Sequence, residues 1–257
     1  MAYEEALSNY IEGGNNRVIM GTDGDFNVGV TSTEALVEMV QDYAAKGIYL
    51  TVCGFGSGNL NDHMMEEISN KGNGTYEYID SEDELSKVFV NERSKFQAVA
   101  NDSKVQVTFD KEKVDSYRLI GYENRVMANE DFEDDTKDAG EIGAGQTITA
   151  LYEIVPGEKY MDEGAIAVFG FRYKKALGEE SIPLSLDVQK TLTPDVRQTE
   201  LRFAAGVAAY GLVLRDSRYK GSATFDMAYE LMEEGLAFDN YGYRAQLREL
   251  VTIAKGL

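Results

Sequence analysis

RVIMGTDGDFNVG, residues 17–29, decides the fold. Val18-Ile19-Met20 is a short, unbroken apolar run, and Gly21-Thr22-Asp23-Gly24-Asp25 turns the chain directly after it. A run this short, apolar at successive positions and closed by turn residues, reads as a strand buried on both faces. Such strands belong to parallel sheets, whose crossover helices cover both sides. Asp23 and Asp25 then fall at the strand's carboxyl end, where open α/β sheets bind their ligands. They are either part of a metal site or residues of a solvated turn.

Outward from this stretch the signals alternate. Residues 2 to 12 carry apolar side chains at helical spacing, stopped by Gly13-Gly14-Asn15-Asn16. Thr31-Ser32-Thr33-Glu34 is a capping box before a helix carrying Leu36, Met39, Val40 and Tyr43. IYLTVCGF, residues 48–55, is a second buried strand, followed by Gly54, Gly56 and Gly58 around its turn. Asn61-Asp62 caps a helix that ends at Lys71-Gly72, Thr75 to Ile79 is a third strand, and Ser81-Glu82-Asp83-Glu84 opens another helix. Crossover helices between buried strands predict a partial doubly wound parallel sheet over residues 1–95. Three strands are few for such a sheet, and an open edge strand templates pairing. Either a homodimer through that edge or a partly disordered first domain is therefore expected.

From residue 96 the texture changes. Apolar residues alternate at Val99, Val105, Val107 and Phe109, and SYRLIGYE, TITALYEIVP, AIAVFGFRYKK and IPLSLDVQK follow, rich in β-branched and aromatic residues. Residues 96–192 read as an antiparallel β-sandwich. Thr193-Pro194 then opens a helical segment, 193–257, with a long apolar run, a break at Gly221-Ser222, and helices near 224–235 and 243–254. It is expected to pack on the preceding domains.

Totals narrow the function. The 257 residues are 43% apolar and 27% charged, with a net charge of -20. That charge excludes phosphate-backbone binding, which needs clustered Lys and Arg, so no nucleic-acid partner is expected. There is no apolar run long enough for a membrane span and no signal peptide in MAYEEALSNYIEGG. The single cysteine, Cys53, rules out an internal disulfide and a thiolate zinc site. The single histidine, His63, rules out His-rich metal sites, and neither a Gly-x-Ser-x-Gly elbow nor a Walker A motif occurs. Gly54, Gly56 and Gly58 have the wrong spacing for a dinucleotide loop, so they read as a tight turn. Asp131, Glu133 and Asp135 are spaced like the start of an EF-hand, but Thr136 stands where Gly is needed and Ile142 where the bidentate Glu is needed. Residues 129–141 read instead as a solvated acidic loop. Asp25 reads as a turn residue, His63 as a helix-start residue and Cys53 as a small buried apolar group.

RVIMGTDGDFNVG, IYLTVCGFGSGN and MMEEISNKGNGTYEYIDSEDELSKVFV together resemble the C-terminal half of a von Willebrand factor type A domain, in its bacterial secreted or lipoprotein form. YRLIGYENRVMANEDFEDDTKDAGEIGAGQTITALYEIVP and LRFAAGVAAYGLVLRDSRYKG are similar to the poorly characterised region that follows that domain in the same bacterial proteins. The resemblance implies a metal-ion-dependent adhesion site for Mg²⁺, Ca²⁺ or Mn²⁺, in which Asp23 matches the TDG aspartate and Asp25 lies beside it. The partner motif Asp-x-Ser-x-Ser is absent from the 257 residues. In the family it precedes the TDG element, which implies that this chain is a fragment, with an incomplete site and no cofactor of its own. The implied role is non-enzymatic: a protein-binding or scaffold protein of the bacterial cell envelope with an unidentified protein partner. The alternatives are a structural half-domain that acts by oligomerising, and a hydrolase built on the α/β half.

Overall fold

Caps and turns set the element boundaries in the computed structural model, which describes residues 1–23, 32–56, 60–123, 125–176, 178–190 and 196–257. The chain divides into two units. The first comprises Met1–Gln106, Ala128–Thr147 and Gly170–Ser185; the second comprises Val107–Met127, Ile148–Phe169 and Leu186–Leu257.

The first unit begins with helix α1 (Ala2–Ser8), shorter than the apolar spacing predicts. Asn16 is the reason. Its buried side chain accepts from the Ile11 amide and donates to the Ile11 carbonyl, both at 2.9 Å, so residue 11 is held out of the helix. Strand β1 (Asn16–Thr22) follows, then α2 (Thr33–Ala44), β2 (Ile48–Phe55), α3 (Asp62–Lys71), β3 (Tyr76–Ile79) and α4 (Glu82–Ser86). The N-cap of α2 is Ser32, whose hydroxyl accepts from the Ala35 amide at 3.2 Å; Thr31 lies outside the described residues. Asn61 and Ser81 cap α3 and α4 in the same way, as their sequences predict. After one α-helical turn the chain widens into a π turn at Lys87–Asn91 and tightens into a 3-10 turn at Arg93–Phe96.

β1, β2 and β3 form a parallel sheet in the order β1-β2-β3, with Ile19 opposite Thr51 and Val52 opposite Tyr76. One face packs on α1, α2 and α3 through Tyr3, Leu36, Val40, Leu50, Val52, Met64, Met65 and Ile68. Cys53 and Ile79 pack with Val88, Phe89 and Phe96. The turn from α3 into β3 presses against β2: Leu50 N–H donates to Gly72 and Val52 N–H to Thr75. A Cβ at Gly74 would overlap the Leu50 carbonyl, which accounts for the Gly-Asn-Gly sequence there.

The remaining strands are β4 (Ala98–Phe109), β5 (Val114–Ile120), β6 (Gly140–Gly143), β7 (Leu151–Pro156), β8 (Ala165–Lys174) and β9 (Ile182–Gln189). They form a four-stranded sheet, β6-β4-β8-β9, and an antiparallel ribbon, β5-β7. β4 corrects the simplest reading of its own pattern. Strand alternation should bury the apolar set. Yet Val99 and Val105 are exposed, while Ala100, Asp102 and Lys104 are buried.

In the second unit, Phe109, Tyr117 and Tyr152 pack ring to ring at centroid distances of 4.4 to 6.3 Å. Arg118 on β5 pairs with Glu153 opposite it on β7, and stacks over Tyr219 at 4.4 Å. Helices α5 (Val196–Leu214), α6 (Phe225–Glu234) and α7 (Tyr243–Lys255) enclose Ala209, Ala228, Met232 and Val251. A Cβ at Gly206 would lie 2.9 Å from the Ala228 carbonyl oxygen and Met232 Cγ, so this glycine sets how closely α5 and α6 pack. Thr193-Pro194 lies outside the described residues.

Candidate functional site

Three strand ends make the carboxyl edge of the parallel sheet. Asp23 follows β1 directly and is exposed; Asp25 and Gly58 lie outside the described residues. Phe55 closes β2 and is 37% exposed. A Cβ at Gly21 would lie 3.2 Å from the Phe55 ring, so that glycine leaves the ring its place over β1. The Tyr78 hydroxyl donates to the Gly56 carbonyl at 3.0 Å and ties β3 to the turn after β2. The Tyr76 hydroxyl donates to the Asp62 carboxylate at the start of α3. Burial, together with that bond and the Asp62 charge, pushes the Tyr76 phenol upward. A Cβ at Gly54 would lie 2.9 Å from the same hydroxyl, and Gly56 has φ +104°. Gly56 therefore serves the turn's backbone geometry, while Gly54, inside β2, leaves room for the Tyr76 side chain.

His63 is an exposed residue in the first turn of α3. Cys53 is 1% exposed. Burial and the neighbouring Glu77 push its thiol up to about 11, against the opposing Lys95, so it is a protonated packing group at neutral pH.

Asp23 offers one carboxylate to a divalent cation that needs six or more oxygen ligands. Among the described residues no group of three or more His, Cys, Asp and Glu is arranged to hold a metal. The described side chains do not fit a complete Mg²⁺ or Ca²⁺ site.

The acidic stretch 129–141 is put to an unforeseen use. Its carboxylates are engaged locally: Asp131 with Lys137 at 3.6 Å, Asp134 with the Thr136 hydroxyl at 2.6 Å, Asp135 with the Ser181 amide at 2.9 Å. The Ser181 bonds, with Arg172 and Lys174 nearby, hold the Asp135 carboxyl down at about 2. Its backbone carbonyls face inward and receive two buried ammonium groups. Lys104, 4% exposed, donates to the carbonyls of Asp131, at 3.2 Å, and Asp134. Lys174, 7% exposed, donates to the Asp135 carbonyl at 2.8 Å and to the Asp102 carboxylate at 2.7 Å. The stretch then runs into β6. The solvated-loop reading is corrected to this extent: the backbone is a fastening for two lysines, and the last carboxylate of the stretch, Glu141, is turned inward.

Beside β6 lies a second set of polar groups. Arg17 on β1 donates to the Thr51 hydroxyl at 2.8 Å and lies 5.5 Å from the centre of the Tyr49 ring. The Tyr49 hydroxyl donates to Asn101 at 3.4 Å, and Asn101 donates to the Lys175 carbonyl at 3.0 Å. Glu141 on β6 completes the set. Burial, then the charges of Asp138 and Asp102, push its carboxyl up to about 8, against its own amide and Arg17.

A family model described as "Uncharacterized protein YfbK, C-terminal" matches residues 94–257. The chain belongs to the YfbK C-terminal family. The uncharacterized protein YfbK of Escherichia coli (strain K12) is 35% identical over 275 residues, a match that covers 100% of this chain and 48% of that protein. The chain thus spans about half the length of this curated relative. Among solved structures, a von Willebrand factor type A protein from Catenulispora acidiphila superposes over 92% of this chain and 60% of its own, with 16% identity and a TM-score of 0.43. The human COPII-coat protein Sec24c does so over 86% of this chain and 33% of its own, with 15% identity and a TM-score of 0.44. The YfbK-type region thus takes up the chain where the parallel α/β part ends.

Proposed function

We propose that this chain is a non-enzymatic protein-binding scaffold whose parallel sheet, one half of a von Willebrand factor A-type domain, is completed by a strand from another polypeptide. One observation carries the reading. Among the described residues β1, the strand that ends in Asp23, is hydrogen-bonded to a neighbouring strand on one side only. Its Ile19 is 48% exposed. An unpaired strand edge with an apolar side chain is a template for pairing. A partner strand there would also bring further oxygen ligands next to Asp23. That is how Mg²⁺, Ca²⁺ or Mn²⁺ dependence would arise in the intact domain, while this chain alone holds no metal tightly. We further propose a three-part division, 1–95, 96–192 and 193–257, the middle part a β-sandwich, and an envelope location. The buried, protonated Cys53 and the surface position of His63 support binding over catalysis.

Light scattering after size-exclusion chromatography tests the edge in the isolated chain. The expected result is a concentration-dependent dimer that Ile19→Lys converts to monomer. A monomer at every concentration, with β1 amides protected from exchange, refutes the pairing. Calorimetric titration with Mn²⁺ tests the site: heat is expected only at millimolar metal, and micromolar binding lost in Asp23→Ala refutes the incomplete-site reading.

A further inference from the structure

Residues 128–143 are fastened to the rest of the first unit at points of very different quality. At one end Lys104 and Lys174 hold the backbone carbonyls of Asp131, Asp134 and Asp135. The Ala139 amide adds a bond to Asp102 at 3.3 Å. At the other end β6 meets β4 through three register pairs, Ala98 with Gly143, Ala100 with Ile142 and Ser103 with Gly140, separated by two shifts. A four-residue strand with so irregular a ladder belongs to the low-stability end of a fold, where local opening precedes global unfolding.

Glu141 sits in this short strand. Its Oε1 is closed to solvent and has no hydrogen-bond partner among the described residues, and the same is true of Arg17 Nε. The charged and titratable groups that act on it are Arg17 from β1, Tyr49 from β2, Asp102 from β4 and Asp138 from the preceding loop, while Lys95 of the 3-10 turn beside β6 is paired with Glu77 and Glu92. Lys174 is spoken for by Asp102, and Lys71 of α3 lies 3.9 Å from Asp138. As a neutral acid, Glu141 adds no charge to this set. As a carboxylate it would be a third anion beside two others, with an oxygen that no donor reaches. Burial and like charge both oppose that form.

We propose that residues 128–143 form a proton-locked strap: neutral Glu141 lets β6 close on β4, and loss of its proton releases it. Release uncovers the β4 edge and the Arg17 side chain together. The inference is independent of the sheet-completion reading, because β6 and the β1 edge belong to different sheets.

Hydrogen exchange of the full chain, read by mass spectrometry at pH 6.5 and pH 9 and corrected for intrinsic rates, tests it. Protection of residues 139–144 is expected to fall at least tenfold in the wild type and by less than twofold in Glu141→Gln. Protection of β2 should stay unchanged in both. Equal wild-type protection at the two pH values, or the same fall in Glu141→Gln, overturns the proposal. A carbon-detected NMR titration of the wild-type Glu141 carboxyl decides independently of whether the variant folds. A midpoint above pH 7 supports the strap and a midpoint at or below pH 7 overturns it.

Discussion

Lys174→Met should be among the most costly single changes in the first unit, and the reason can be worked through. The Lys174 ammonium lies 2.7 Å from the Asp102 carboxylate, with the two side chains 8% and 9% exposed. Methionine keeps most of the volume but removes the cation. Among the described residues Asp102 would then keep a single neutral donor, the Ala139 amide at 3.3 Å, and the Asp135 carbonyl would lose the donor now at 2.8 Å. Leaving a buried charge uncompensated costs about 3–5 kcal/mol. A lost bond to a buried carbonyl adds roughly 1 kcal/mol. Asp102→Asn removes the opposing charge without backbone strain: Asp102 has φ +46°, a conformation that asparagine tolerates. The double variant Asp102→Asn/Lys174→Met should therefore recover about 0.5–3 kcal/mol relative to additivity, as expected for a directly coupled pair. Urea unfolding followed by circular dichroism and by tyrosine fluorescence measures all four corners of the cycle. A Lys174→Met cost below about 1 kcal/mol, or additive single effects, would show that this lysine does not fasten the acidic segment.

Glu141→Gln should flatten the pH dependence of stability. Burial pushes the folded carboxyl up to about 8 from its ordinary 4.5. The folded state therefore binds more protons between those values, and the contribution of Glu141 to wild-type stability is fully present below about pH 4.5 and is lost as pH rises through 8. At 1.36 kcal/mol per unit the loss is at most about 5 kcal/mol, capped by local opening of β6; equal slopes for wild type and variant in urea midpoints at pH 5 to 9 would contradict this. Met232→Ala empties the centre of the α5–α6–α7 cluster, where Met232 is 0% exposed, and should cost about 2–5 kcal/mol, whereas Met232→Leu should cost less than about 1.5 kcal/mol. Thermal melts of the two variants that agree within a degree would disprove the packing argument.

What the sequence showed, it showed through groups whose role is local. Asn61 and Ser81 cap the helices that their spacing announces, because a cap needs only its own next three residues. The parallel strands are legible for a related reason: burial on both faces leaves an unbroken apolar run such as Val18-Ile19-Met20. The boundary of α1 was not legible, since it depends on one side chain, Asn16, that returns to Ile11 from the next element. β6 was hidden more deeply. Gly140-Glu141-Ile142-Gly143 has no strand composition, and it is a strand only because β4 lies beside it. The same dependence explains the face of β4. Alternation read on Val99 and Val105 locates the strand, but which face turns inward is settled by partners far along the chain: Lys174 for Asp102, and the carbonyls of Asp131 and Asp134 for Lys104. A trace of this was in the sequence after all. Lys104 and Lys174 stand inside runs otherwise suited to a pleated, half-buried surface, and thirteen residues with seven carboxylates, 129–141, lie between those runs. A lysine at an inward strand position must find acceptors or be excluded from the core. The acidic segment is the part of the chain whose backbone supplies them, and its negative side chains make a favourable setting for ammonium groups. The acids that looked like a calcium loop thus belong to a segment whose backbone packs two lysines, and the carboxyl pushed furthest up, Glu141, is the one whose oxygen is buried without a donor among the described residues.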